Sequence, residues 1–328
     1  MSERQIFGHE RQQRMLKRLE GHPEQTMHAW RFEGSEHLGK YTIAKSWSHQ
    51  LLCLKLQSGG CGFCVSCRAF QNERHPDLME LTPPDQRQGY TVENIRKLRS
   101  WISHSPFSGT RKMILVDEAE RMTLGAANAM LKFLEEPAPH SLVVLVSHDG
   151  GRLLGTIRSR CSLLRFSPLP QEQIRAFVQQ GLLKISDARM IPACRGRMGL
   201  LNRWLDQPNE WDRHLTRLGI LSEWTSLPLH LRLRQCDEII SKSPSFLDQQ
   251  NIAKQWIEDV MTLIRDRLLL KGKSIFSVYP HFAASAPNSL SASGEQRILQ
   301  SGFRSLRLLD QNTQPKMVLE TFALQFNN

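Results

Sequence analysis

Four cysteines fall within fifteen residues, spaced Cys53-x7-Cys61-x2-Cys64-x2-Cys67. Thiolates are soft ligands, and two C-x2-C turns bring four of them around one zinc ion in a tetrahedron. Gly59, Gly60 and Gly62 supply the tight bends such a loop requires. So small a loop has little core of its own, so a bound metal would fold it. An iron–sulfur cluster and buried free thiols compete with zinc; the nearest cluster signature ends in Cys-Pro, and this run does not. No His or carboxylate offers an open position beside the quartet, so the expected role is structural. Cys161, Cys194 and Cys236 stand alone and read as core thiols.

A second constellation is Gly34-Ser35-Glu36-His37-Leu38-Gly39-Lys40-Tyr41, a near match to G-x-x-x-x-G-K-[ST]. The backbone N–H groups of such a loop cradle phosphates, and Lys40 would neutralise them. The hydroxyl that should hold Mg²⁺ is missing, because position 41 is Tyr. Thr42 is one residue late, which turns it roughly 100° around a helix. Gly34, Gly39, Lys40 and Tyr41 therefore outline a site of phosphate-loop ancestry. Binding of ATP and Mg²⁺ there is left open, and productive hydrolysis is not expected, because Mg²⁺ placement carries much of phosphoryl transfer. The bland alternative is a glycine loop without nucleotide. Further on, Asp117-Glu118-Ala119-Glu120 ends an apolar run. An Asp there can hold Mg²⁺ through water and the adjacent Glu can orient a water, unless the two merely cap the next helix.

These groups need elements to position them. Ala29-Trp30-Arg31-Phe32 reads as a strand feeding the loop at Gly34, and residues 41–56 as the helix after it. Leu78-Met79-Glu80-Leu81, the run Lys112 to Asp117, Leu142 to Ser147 and Leu163 to Phe166 read as further strands, the apolar ones as buried parallel strands. Helices are expected over 10–20, over 91–104 with Thr91 at the cap, and over 123–135, ending before Pro137. Strands alternating with helices give a parallel α/β sheet. After Pro168 and Pro170 only helical patterns recur, over 171–183, 187–192, 198–206, 245–270, 294–309 and 315–325, while 271–293 reads as a loop. The expected division is an α/β domain at 1–167 with a cysteine module at 53–67, a small helical domain at 168–207 and an all-helical domain at 208–328.

Length and composition bound the rest. The 328 residues suit two or three domains, and 40% hydrophobic residues suffice for real cores. The net charge is +11, but the 43 Lys and Arg are scattered, so charge favours a phosphate-bearing partner only slightly. Met1-Ser2-Glu3-Arg4-Gln5 opens with charge, and no run approaches the roughly 20 apolar residues of a membrane helix. A cytoplasmic protein without membrane contact is expected, and the odd total of seven cysteines fits a chain without a disulfide framework.

In this order the features resemble the AAA+ clamp-loader ATPases, over almost the whole chain. Ile6-Phe7-Gly8-His9 is similar to the family's Ile-x-Gly-Gln box, and His28-Ala29-Trp30-Arg31-Phe32 to its His-Ala-Tyr-Leu-Phe strand. Asn128 to Pro137 nearly repeats Asn-Ala-Leu-Leu-Lys-x-Leu-Glu-Glu-Pro, and Ser159-Arg160-Cys161 carries the Ser-Arg-Cys motif. A cysteine quartet after the phosphate-loop helix is a family trait, and Asn312 to Glu320 resembles a stretch of the family's collar domain.

Departures from the pattern matter as much. Tyr41 replaces Ser/Thr, Gly199 stands where active members place a sensor Arg, and Ser147-His148-Asp149 replaces the other sensor. Arg160, which in this family serves the neighbouring subunit, is intact. The resemblance implies a stator subunit rather than a motor, with Arg160 acting in trans as an arginine finger, the alternative being that it caps its own helix or pairs with a Glu, and with Asp117 and Glu118 as remnants of the chain's own ATP site. Implied partners are the gamma or tau motor subunits, delta, the sliding clamp and, through the complex, primer–template DNA. Leu268, Leu269 and Met317 would then belong to collar contacts. The rivals are a self-sufficient AAA+ ATPase that hydrolyses its own ATP, against which Tyr41 and Gly199 stand, and a zinc-dependent DNA-binding protein, against which no recognition helix stands out.

Overall fold

The computed structural model describes residues 6–20, 27–55, 60–83, 89–224, 226–241, 243, 245–272, 277–285, 291–311 and 313–326. Gly59 and Asn312 lie outside the described residues. Two compact units divide the chain, Met1–Phe177 with Arg195–Leu200, and Val178–Cys194 with Leu201–Asn328. No described helix is long and apolar enough to cross a membrane.

In the first unit, β1 (Ala29–Glu33), β2 (Leu78–Leu81), β3 (Lys112–Val116), β4 (Ser141–Ser147) and β5 (Ser162–Arg165) form one parallel sheet in the order β2-β3-β4-β1-β5. Successive strand residues face opposite sides, so each apolar run splits between two cores. Trp30, Phe32, Met113, Leu115, Val144 and Val146 pack with Ile43, Trp47 and Leu51 of α2 (Lys40–Leu52). Ile114, Val116, Val143 and Leu145 pack instead with Ile95 and Leu98 of α4 (Val92–Ile102) and Met130 and Phe133 of α5 (Leu124–Glu135). Burial on both faces is why β3 and β4 read as unbroken apolar runs. The unit also holds α1 (Glu10–Glu20), α3 (Val65–Gln71) and α6 (Gly155–Arg160). Thr91 caps α4 with a complete capping box through Asn94, and Thr123 caps α5 through the amide of Ala126.

The phosphate loop follows β1, Asp117 follows β3 and His148 follows β4. Because β3, β4 and β1 are neighbours, these three strand ends converge at one edge of the sheet, the place where open α/β sheets bind ligands. The helix expected over 41–56 stops at Leu52, and Cys53, the first cysteine of the quartet, takes extended backbone. Within the cysteine module the last turn is helical, because Cys64 caps α3 by accepting from the amide of Cys67.

Two helices cross the boundary between the units, α7 (Gln171–Gln179) and α9 (Met198–Asp206). The second unit otherwise consists of α8 (Met190–Ala193), α10 (Pro208–Glu223), α11 (Leu229–Ser241), α12 (Phe246–Lys271), α13 (Pro280–Ser285), α14 (Ala292–Asp310) and α15 (Pro315–Ala323). Pro208 opens α10 at its first turn, where a missing N–H costs nothing. The segment 271–293, expected as a loop, contains α13, anchored because buried Asp266 of α12 accepts the amides of Val278 and Tyr279 at 2.7 and 2.6 Å. Cys161, Cys194 and Cys236 are buried thiols outside any disulfide.

Candidate functional site

The loop after β1 is bent by backbone that few residues tolerate. Gly39 has φ 86° and heads α2, His37 has φ 63°, and Gly34 lies where a Cβ would come within 2.3 Å of the Phe166 carbonyl oxygen. His9, from the N-terminal box, supports the loop from behind through Nε2 and the Leu38 carbonyl, 2.9 Å apart.

Lys40 is buried at 3% exposure, and its ammonium is already occupied. Nζ donates to the Ser35 carbonyl at 2.6 Å and to His148 Nδ1 at 3.1 Å. Burial pushes this ammonium down to about 8, against the pull of Glu120, Asp117 and Glu36. The same burial lifts the Asp117 carboxyl above the usual carboxylate range, against the amide of Glu118, which donates to Oδ1 at 3.0 Å. Glu118 adopts φ 44° and pairs with Arg121 at 2.9 Å inside its own turn. Glu120 Oε1 instead accepts the His148 amide at 2.9 Å. The strand ends thus bring Lys40, Asp117, Glu120 and His148 together, while Glu118 is turned to Arg121.

Where a nucleotide-hydrolysing loop carries a free hydroxyl, Tyr41 donates its phenol proton to Glu80 of β2. Burial, then this bond, pushes the phenol well above its ordinary range. Glu80 is also paired with Lys45 at 3.1 Å, so the carboxylate that receives the tyrosine is itself held from two sides. Thr42 is exposed and offers no substitute. The start of α9 closes the other side of the loop, where the Gly199 amide donates to the His37 carbonyl at 2.7 Å. A Cβ at Gly199 would meet that oxygen at 2.8 Å. Three of the positions at which the chain departs from a working site are therefore structurally committed to other partners.

The cysteines converge as their spacing requires. One sulfur from each of Cys53, Cys61, Cys64 and Cys67 lies within 4.8 Å of the others. Cys61 and Cys67 are 3.8 Å apart, far beyond a disulfide bond, and a tetrahedral zinc with ~2.3 Å bonds sets sulfurs about 3.8 Å apart. Burial raises the Cys61 and Cys64 thiols, but backbone amides outweigh it: those of Phe63 and Cys64 at Cys61, those of Cys67 and Leu54 at Cys64. Both thiols end below their ordinary value, as metal ligation needs, whereas burial pushes Cys67 up to about 12. The donor set fits one soft tetrahedral metal. Ser66, between the third and fourth cysteines, bonds the Leu52 carbonyl at 2.5 Å and His75 at 2.7 Å, fixing the module to the end of α2 and to the segment before β2.

Arg160 ends α6 on the surface, 37% exposed. Its Nη1 donates to the Thr156 carbonyl at 3.0 Å, and its Nη2 lies 2.8 Å from Glu135 Oε1. On the same face of the unit as α4 and α5, an open groove of about 380 Å³ is lined by Arg96, Arg99, Lys132 and Asn128 over a floor of Val92, Ile95 and Ala129. In α5, Met130, Phe133 and Leu134 are buried in the core and Leu131 is half-buried. The groove was not legible because Arg96 and Arg99 belong to one helix and Lys132 to another.

A five-stranded parallel sheet with a phosphate loop after the interior strand β1, an acid after β3, a cysteine-rich insertion and a helical second unit is an AAA+ arrangement, similar to that of the clamp loaders. The chain matches, over residues 8–170, the family model described as DNA polymerase III, delta subunit. It is 38% identical over 160 residues to DNA polymerase III subunit delta' of Pseudomonas aeruginosa, covering 48% of each chain. It is 36% identical over 149 residues to the delta' subunit of Bacillus subtilis, covering 45% of this chain and 44% of that one. Against the tau subunit of Escherichia coli the figures are 35% over 149 residues, 45% and 23%. The matched part thus spans about half the length of the delta' relatives.

Proposed function

We propose that this chain works in the cytoplasm as the delta-prime-type stator of a sliding-clamp loader. It would assemble with gamma or tau motor subunits and with delta, and would help load the clamp on primer–template DNA without firing a nucleotide of its own. The single observation carrying this reading is an asymmetry. Lys40, Tyr41 and Gly199 are committed inside the fold to Ser35 and His148, to Glu80 and to His37, whereas the Arg160 guanidinium, held by Thr156 and by a solvent-exposed ion pair with Glu135, stands at the surface. In trans, Arg160 would stabilise charge on the γ-phosphate of ATP held by the adjacent motor, an effect worth roughly 10³–10⁵ in rate. The groove of Arg96, Arg99 and Lys132 suits the DNA backbone, because cations spaced along a face hold phosphates without reading bases. Zinc on Cys53, Cys61, Cys64 and Cys67 would fold the insertion and take no part in chemistry. Residues 168–207 would form the lid and 208–328 the collar, where Leu268, Leu269 and exposed Met317 would meet other subunits.

The test is reconstitution with motor and delta subunits. The chain alone should show no ATP turnover. Arg160→Ala should leave assembly intact and lower DNA-stimulated ATP hydrolysis by about 10³ at the dependent site. An Arg160→Ala complex as active as wild type ends this reading, and robust turnover by the isolated chain favours a self-sufficient ATPase.

A further inference from the structure

The ion pair on the finger has a use of its own. We infer that Glu135 is a positioning residue for Arg160, holding the guanidinium plane so that its uncommitted donors face the neighbouring subunit; this rests on the trans role of Arg160. A guanidinium has five N–H groups. One is given to the Thr156 carbonyl and one to Glu135 Oε1, which leaves three for a phosphate. The two anchors come from different elements: Thr156 lies one turn back on α6, and Glu135 ends α5. Two acceptors on separate elements fix a planar group's orientation, which a single bond cannot do.

The carboxylate is itself held in place. Glu136 caps α5 and Pro137 stops it, so Glu135 stands on the final turn. That turn is tied to the sheet by His28, whose Nε2 lies 3.0 Å from the Leu134 carbonyl, at the entry to the interior strand β1. The His28 of the N-terminal strand motif thereby acquires a role at the finger, through the helix end that carries Glu135.

Magnitude separates positioning from locking. The partners are 37% and 49% exposed, and such pairs bias an equilibrium by at most about fivefold. That is far below the roughly 10³ or more a finger contributes. The pair is too weak to withhold Arg160 from a phosphate, yet strong enough to select its orientation beforehand.

In the reconstituted complex, Glu135→Ala should lower kcat of DNA-stimulated ATP hydrolysis about three- to fivefold with KM for ATP unchanged. Glu135→Gln, which keeps an oxygen acceptor, should recover most of the loss. In an Arg160→Ala background, Glu135→Ala should have no further effect. A rise in kcat with Glu135→Ala would mean that the pair is a lock, and an equal loss in both backgrounds would mean that Glu135 acts elsewhere; either overturns the inference while leaving the finger standing. If Arg160→Ala is itself silent, the stator reading has failed instead.

Discussion

Gly199 offers a test in which two physical effects have opposite signs. It lies in the first turn of α9, where replacing Gly by Ala ordinarily stabilises a helix by about 0.5–1 kcal/mol. Here the added Cβ would sit 2.8 Å from the His37 carbonyl oxygen and 3.1 Å from its carbon. These are backbone atoms of the phosphate loop, already bonded to the Gly199 amide at 2.7 Å, so neither side yields cheaply. Overpacking of this kind costs about 1–3 kcal/mol. The clash should win, leaving Gly199→Ala destabilised by about 1 kcal/mol and at most about 2.5, or a fall of a few °C in Tm. Gly219 in α10 is the internal control, since a Cβ there meets nothing within 4 Å. Gly219→Ala should gain the helix term alone. Urea unfolding of both variants, followed by circular dichroism, reads the two signs directly. Stabilisation by Gly199→Ala to the same extent as Gly219→Ala would falsify the close approach of α9 to the loop. The same geometry predicts that Gly199→Arg does not restore ATP hydrolysis, because an arginine must enter through that Cβ.

The purified chain should contain about one zinc per molecule, and Cys64→Ser should abolish it and expose 53–67 to proteolysis while the sheet stays folded; metal analysis showing iron or no stoichiometric metal refutes this. Asp77 is buried and accepts from the Phe107 and Ser108 amides and the Ser108 hydroxyl at 2.6, 2.8 and 2.9 Å. Burial alone would raise its carboxyl, but these bonds hold it below the usual range. Its contribution is therefore present above the ordinary carboxylate value of about 4 and lost as pH falls through the depressed folded value. Asp77→Ala should cost about 2–4 kcal/mol at neutral pH, with less of the acid-limb slope in a pH series of unfolding curves; an unchanged slope counts against it. Lys40 carries its proton below about 8 and loses it above. Any affinity of the loop for inorganic phosphate should therefore weaken as pH rises through 8, and Lys40→Met should flatten the titration; a flat wild-type profile refutes this.

Elements whose signal is local could be read from the sequence. β3 and β4 are apolar runs because both sheet faces are covered, and Thr91 and Thr123 mark helix starts by hydroxyls that accept the amides three residues on. The zinc-type quartet was legible for the same reason, since its geometry is set by backbone turns within fifteen residues. What escaped depends on partners distant in sequence. α10 and α11 lack a clean apolar face because their buried sides carry His214, Ser222 and Arg232. Those groups are tolerated because Tyr279 lies 2.7 Å from His214 Nε2, the Ser222 hydroxyl donates to the Gly219 carbonyl at 2.7 Å and the Ala323 carbonyl accepts from Arg232 at 2.8 Å. The phosphate loop repeats the lesson at the site. Tyr41 and Gly199 were visible as departures from the pattern, which reads as simple loss. The structure shows each position reused: the phenol bonds Glu80, 39 residues on, and the glycine lets α9 rest on the loop. Reverting one residue at a time therefore meets packing that has closed around the change. A hydroxyl at position 41 would leave half-buried Glu80 to its ion pair with Lys45. Recovery of ATP hydrolysis accordingly requires at least Tyr41, His148 and Gly199 to change together, with the loop moving away from α9.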